Sequence, residues 1–372
     1  MRFYCVLLLI LVTNIASGQN FYLFVGTYTD RGSKGIYVYD FNSVTGTATW
    51  VSNTEGTVNP SYLAVAPGNR HLYAVTETAR ENAGSVSAFS FDPVSGKLTF
   101  INKQLSGGDN PCYVSVHSGG KWIAVGNYSG GSLSVLPVDS DGSLQPFSQN
   151  IVFTGKSVHK SRQEKSHVHS TVFSPDYKQL FVPDLGTDKV MIYDFNASAK
   201  QPLTPAKKPF EAVTAGNGPR HFTFHPGGKF AYLIEEMNGS VAAYRYSKKS
   251  LHFIGRTLTH PEGYSGAIGS ADIHLSPDGR FLYASNRGDE NTISIFAVDQ
   301  QSGKLKTVGH VSTQGKVPRN FTIDPTGNFL LVANQATNNI VIFKRDLQTG
   351  LVTATGQELK VPTPVCLQMI TK

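Results

Sequence analysis

Short runs in which apolar and polar residues alternate fill this chain, each closed off by glycine, proline, asparagine or aspartate. The stretch GPRHFTFHPGGKFAYLIEEMNGSVAAYRY, from Gly218, shows the pattern most clearly. Arg220 to His225 alternate, as a strand with two different faces does. Pro226, Gly227 and Gly228 mark a tight turn, and Lys229 to Glu235 predict the return strand. Met237 to Gly239 turn the chain again, Ser240 to Tyr246 predict a third strand, and a weaker fourth follows near Leu251 to Gly255.

The opening phrase of that unit recurs about every fifty residues. The copies read NPSYLAVAPGN from Asn59, NPCYVSVHSGG from Asn110, HVHSTVFSPDY from His167, GPRHFTFHPGG from Gly218, GSADIHLSPDG from Gly269 and VPRNFTIDPTG from Val317. A trimmed seventh, TPVCLQMI, starts at Thr363. Seven four-stranded antiparallel units predict an all-β fold, a seven-bladed β-propeller. The last copy lacks a return strand. The chain near Phe21 supplies FYLFVGTYT as a return strand and GIYVYDF as a third, with no inner strand of their own. The two ends therefore complete one blade, which closes the ring and leaves no open edge.

The first residues follow a different pattern. Arg2 precedes an apolar run from Val6 to Val12, and Ala16, Ser17 and Gly18 follow. That order predicts a secretory signal over residues 1–18, cleaved near Gly18 or Gln19, with the propeller occupying 19–372. The run is too short to span a bilayer, so no membrane insertion is expected once the signal is removed. A periplasmic or secreted protein follows, and a monomer is expected.

Composition changes the picture little. Hydrophobic residues make up 40% and charged residues 16%, with frequent glycine, as many short strands and turns require. The formal charge is +7, without a lysine or arginine block beyond the loop KSVHKSRQEK from Lys156 to Lys165. No aromatic platform accompanies that charge, so a nucleic-acid partner is not expected, whereas an anionic small molecule suits it. Cys112 and Cys366 fall on inner strands of blades that are not neighbours, which argues against a disulfide.

The first two strands of a blade form a hairpin, so the start of one lies beside the end of the other at one mouth of the channel. Aligning the repeats there gives two columns. The first holds Ser61, Cys112, His169, Arg220, Ala271, Arg319 and Val365; the second holds Thr78, Tyr128, Leu185, Glu236, Arg287 and Gln335. Scaffold positions of a repeat should resemble one another, so the ionisable departures, His169, Arg220, Glu236, Arg287 and Arg319, are candidates for chemistry. The rival reading is a set of salt bridges between blades. Glu77, Asn127, Asp184, Glu235, Asn286 and Asn334 form a further column at the ends of second strands. Such oxygen ligands could ring a calcium ion, but turn hydrogen bonding is the preferred reading, so no metal or other cofactor is expected.

HVHSTVFSPD, VPDLGTDKVMIYDF, GNGPRHFTFHP, the glutamate of LIEEMNGSV and LYASNRGDENTISIF together resemble the seven-bladed propeller lactonases, the family of the propeller-type 6-phosphogluconolactonases and the carboxymuconate-lactonising enzymes. The resemblance spans Phe21 to about Gln368. It implies a lactone hydrolase whose active-site histidine, two arginines and glutamate fall on His169, Arg220, Arg287 and Glu236. Histidine can move protons near neutral pH, and arginine can bind an anion and stabilise an oxyanion. His169 is the favoured base and Glu236 the second. Arg319, His167, His221 and Glu235 are supporting candidates for substrate contact. On an alternating strand His167 and His169 should share a face, and His221 should point away from Arg220. Two other functions remain: a non-enzymatic extracytoplasmic propeller that binds a ligand or partner, and a lactonising enzyme of the muconate type.

Overall fold

A computed structural model describes residues 19–78 and 84–372. The signal predicted over residues 1–18 lies outside the described residues. Among those described, every regular element is a strand, and the strands form seven sheets of four. Numbered along the chain, blade 1 combines the inner strand Pro364–Thr371 with Asn20–Thr27, Ile36–Asn42 and Thr47–Thr54. The C-terminal strand pairs antiparallel with the N-terminal one, Phe21 opposite Thr371 and Val25 opposite Leu367, as the complementary ends predict. Blades 2 to 7 each use four consecutive strands. In blade 5 these are Pro219–Phe224, Phe230–Glu235, Ser240–Ser247 and Ser250–Leu258, close to the expected bounds.

The core is a series of layers between neighbouring blades. Phe181, Val190 and Ile192 of blade 4 meet Phe222, Ala231 and Leu233 of blade 5, and the same arrangement joins blades 7 and 1 through Leu23, Phe41, Phe329 and Leu331. Each such large side chain contributes about 1.5–3 kcal/mol by leaving water. A repeated tie fixes one blade to the next: the hydroxyls of Tyr73, Tyr232 and Tyr283 donate to the carbonyls of Gly142, Gly303 and Gly350 at 3.2, 3.1 and 2.7 Å. Gly303 sits at φ 76°, and a β-carbon there would lie 2.4 Å from the Phe230 ring, so the turn needs glycine on both counts. Cys112 and Cys366, on the inner strands of blades 3 and 1, are free and buried.

The inner strands are not regular where they open onto the mouth. The pairing slips between Pro111 and Tyr113, Pro219 and Phe222, Ser270 and Ile273, and Pro318 and Asn320. In blade 4 only Val172–Phe173 pair as an inner strand. Such bulges re-aim side chains, and they set the geometry of the site.

Candidate active site at the channel mouth

A backbone bond repeated in every blade defines the mouth. The amides of Tyr28, Glu77, Tyr128, Leu185, Glu236, Arg287 and Gln335 donate to the carbonyls of Thr363, Asn59, Asn110, His167, Gly218, Gly269 and Val317 at 2.8–3.2 Å. These seven residues form the second column. Blade 2 therefore contributes Glu77, in place of the Thr78 that the repeat alignment put there, and blade 1 contributes Tyr28. The strand-end column is Thr76 in blade 2, alongside Asn127, Asp184, Glu235, Asn286 and Asn334.

His169, Arg220, Glu236 and Arg287 come together. Arg220 Nη1 donates to Glu236 Oε2 at 2.7 Å and also contacts His169 Nε2. Its Nε is held by the carbonyl of Ala271 at 2.9 Å. Arg287 Nη2 lies 3.2 Å from the same Glu236 oxygen, with its Nε on the carbonyl of Gly269 at 2.9 Å. Both guanidinium groups are thus aimed by backbone carbonyls at the start of blade 6, Ala271 in its bulged inner strand and Gly269 just before it. Arginine only donates, so His169 Nε2 accepts and the neutral ring carries its proton on Nδ1, facing Cys112 Sγ at 3.7 Å.

Burial, then the adjacent Arg220 and His221, hold the His169 imidazolium well below its usual range, so the ring is neutral. Burial alone would raise the Glu236 carboxyl, but Arg287, Arg220 and Arg162 outweigh it and keep the group ionised. Arg287 is pushed down to about 10 by burial and by the neighbouring arginines, against the pull of Glu236, and stays charged at neutral pH.

Arg162 was not among the residues singled out from the sequence. It belongs to the basic loop between the last strand of blade 3 and the first of blade 4, a loop without a counterpart in the repeat. Its Nη2 lies 2.5 Å from Glu236 Oε1, and its side chain remains 42% exposed. The next residue anchors the loop: Gln163 is buried and its amide donates to the carbonyl of Leu185 at 2.9 Å and to Asp188 at 2.7 Å. The only sequence signal was the local density of positive charge.

The supporting candidates divide. Arg319 faces the mouth, 3.9 Å from Glu77 and over the Tyr28 ring at 5.6 Å. His167 stacks on Tyr128 at 4.5 Å and His169 meets the same ring edge-on at 5.2 Å, so the two share a side as alternation predicts. His221 does not turn away from the cluster. The slip between Pro219 and Phe222 breaks the alternation, and its ring lies 5.3 Å from that of His169, with Nδ1 on Asp272 at 2.7 Å. Glu235 is not brought to the mouth. It is fully buried within blade 5, gripped by Arg256 at 2.6 and 2.9 Å and by Asn217 at 3.0 Å.

In the strand-end column Asp184, Glu235 and Asn286 are held by protein partners, whereas the buried Oδ1 atoms of Asn127 and Asn334 accept no hydrogen bond from the described residues. Asp184 accepts from Ser166 and Thr187 at 2.7 Å each and from the amides of His167 and Gly186 at 2.7 and 3.0 Å. Asn286 donates to the carbonyl of Thr259 at 2.9 Å. Among the described residues no three histidine, cysteine, aspartate or glutamate side chains form a metal-binding group.

The ring of seven four-stranded blades is a β-propeller, and comparison with known proteins gives its family. Residues 22–369 match the family described as lactonase, seven-bladed β-propeller, and the chain belongs to that family of lactone hydrolases. It is 42% identical over 351 residues to the 6-phosphogluconolactonase of Formosa agariphila, covering 94% of this chain and 99% of that one. It is 37% identical over 349 residues to the 6-phosphogluconolactonase of Bacillus subtilis, covering 93% and 97%. The structure of a periplasmic gluconolactonase from Pseudomonas aeruginosa superposes with a TM-score of 0.90 at 40% identity, covering 94% of this chain and 99% of that one.

Proposed function

We propose that this enzyme hydrolyses an anionic lactone of the sugar-acid class, with His169 as general base and the arginines as anion clamp and oxyanion stabiliser. The observation that carries this reading is the arginine content of the mouth: Arg162, Arg220 and Arg287 converge on the one carboxylate of Glu236, with Arg319 beside Glu77, around a neutral imidazole. A phosphate or carboxylate on the substrate pairs with those arginines. The names of the 6-phosphogluconolactonase relatives favour a phosphate.

In the reaction, the substrate anion draws Arg162 and Arg220 away from their present partners and frees His169 Nε2. The imidazole takes a proton from water as the oxygen attacks the lactone carbonyl. The tetrahedral oxyanion forms against Arg287, already aimed by its bond to the Gly269 carbonyl. The ring C–O bond then breaks, and the alkoxide takes the proton from the imidazolium, leaving the open hydroxy acid and neutral His169. Glu236 holds the guanidinium groups in place before substrate arrives. The substrate anion also raises the imidazole's basicity by offsetting the arginines that depress it.

The purified enzyme, assayed on 6-phosphogluconolactone, gluconolactone and a muconolactone, should show its highest kcat/KM on the phosphorylated sugar lactone. Equal rates on the uncharged lactone would remove the anion clamp. A secretory signal over residues 1–18 fits the periplasmic relative of Pseudomonas aeruginosa, and we assign this enzyme to the same side of the membrane. Mass spectrometry of the native protein should find the chain starting near Gln19; an intact Met1 would place it elsewhere.

A further inference from the structure

Across the ring from Glu236, three blades away, the mouth carries a second carboxylate, Glu77. Its surroundings differ. Among the described residues Glu236 receives three guanidinium groups at 2.5–3.2 Å, whereas Glu77 has a single arginine at 3.9 Å. Its Oε2 accepts instead from neutral hydroxyls, Tyr28 at 2.9 Å and Ser61. The Glu77 side chain is 17% exposed, so part of it is accessible to a ligand. The two halves of the mouth are thus chemically opposed. The Glu236 half presents guanidinium donors already committed to a carboxylate, and the Glu77 half presents an acceptor surrounded by hydroxyl groups.

A polyhydroxylated lactone needs both. Its anion needs cationic donors, while the hydrogens of its hydroxyl groups need acceptors, which arginine cannot supply. We infer that Glu77, set by Tyr28 and Ser61, is a specificity-determining residue that accepts hydrogen bonds from the hydroxyl groups of the substrate and orients the ring while its anionic end lies against the arginines. This rests on the lactone-hydrolase reading above and adds to it the group that would select hydroxylated rings. A hydrogen bond to a charged acceptor is worth roughly 10–100-fold in affinity.

Glu77→Gln tests the assignment, because it keeps the shape, weakens the acceptor and leaves Arg319 less neutralised. KM for a polyhydroxylated lactone, 6-phosphogluconolactone, should rise about 10-fold or more, with kcat within about threefold. The inhibition constant of inorganic phosphate should stay the same or fall, because the mouth becomes more positive. These opposite signs distinguish recognition from a structural role, in which both constants would worsen together. Tyr28→Phe keeps the carboxylate but loses one of its orienting donors, and should shift KM the same way by a smaller factor. The inference is overturned if KM stays within about threefold of wild type in Glu77→Gln, if substrate and phosphate weaken in parallel, or if kcat falls with KM unchanged. A wild-type enzyme without activity on any lactone would instead sink the parent reading, and this one with it.

Discussion

His169 is the general base of the proposed reaction, and its environment makes two measurable statements. Replacing it by alanine should lower kcat by about 10²–10⁴-fold, the usual worth of a positioned general base. Circular dichroism should show the fold retained, because the ring lies at the mouth and outside the interblade layers. Full turnover in His169→Ala would transfer the base role to Glu236. The second statement concerns pH. A base must be neutral to act, and burial beside Arg220 holds the His169 imidazolium well below 6.5. The acid limb of kcat/KM should therefore fall below pH 6.5, with activity undiminished through that value. For stability the sign is the same. Between the folded and unfolded values the unfolded chain binds the extra proton, so stability falls as pH drops below 6.5. An acid limb at or above 6.5 would contradict the assignment.

At the scale of the strand, one position decides between scaffold and site. Glu235 is the last paired residue of its strand, opposite Ser240, and Glu236 is the first beyond it. The strand sends Glu235 into the blade, where Arg256 grips both oxygens, and sends Glu236 into the channel. The two should separate experimentally. Glu235→Ala strands a partly buried guanidinium and should cost about 3–5 kcal/mol of stability in denaturant unfolding, with near-normal kinetics in the folded fraction. Glu236→Gln should lower kcat/KM of the folded fraction on the order of 100-fold, because Arg220 and Arg287 lose the carboxylate that holds them. A reversal of these outcomes would exchange the roles of the neighbours. The same register explains the displacement in blade 2. In blades 3 to 7 a carboxylate or amide closes the second strand, as Asn127, Asp184 and Asn286 do, and in blade 1 Thr27 closes it. In blade 2 that place is taken by Thr76, and Glu77 imitates it one residue later.

The ring as a whole depends on a single closure. Blade 1 owes its inner strand to the C-terminus, and that strand pairs from Phe21 to Thr27. It also touches the inner strands of blades 2 and 7. Deleting residues 364–372 removes a strand from one blade and exposes the faces of two neighbours, so the truncated chain should lose its cooperative thermal transition or melt far below the intact protein. A truncation that melts with the full-length enzyme would show that the closure is dispensable.

The sequence by itself determined the number of blades, the strand order within each and the closure through the two ends. These follow from periodicity, and a repeat carries its own internal reference: departures from it marked His169, Arg220, Glu236, Arg287 and Arg319 as candidates, and the resemblance to the propeller lactonases singled out the first four. The tertiary structure alone decided the rest. Arg162 comes from a loop outside the repeat, so no alignment could set it against Glu236. His221 faces the cluster because a bulge breaks the two-residue period, and a slip in pairing leaves no trace in the pattern of apolar positions. Glu77 and Tyr28 join the mouth through backbone bonds that only the closed ring makes visible. Side chains from distant segments meet where the chain packs, and the interactions that tune their charge depend on that packing.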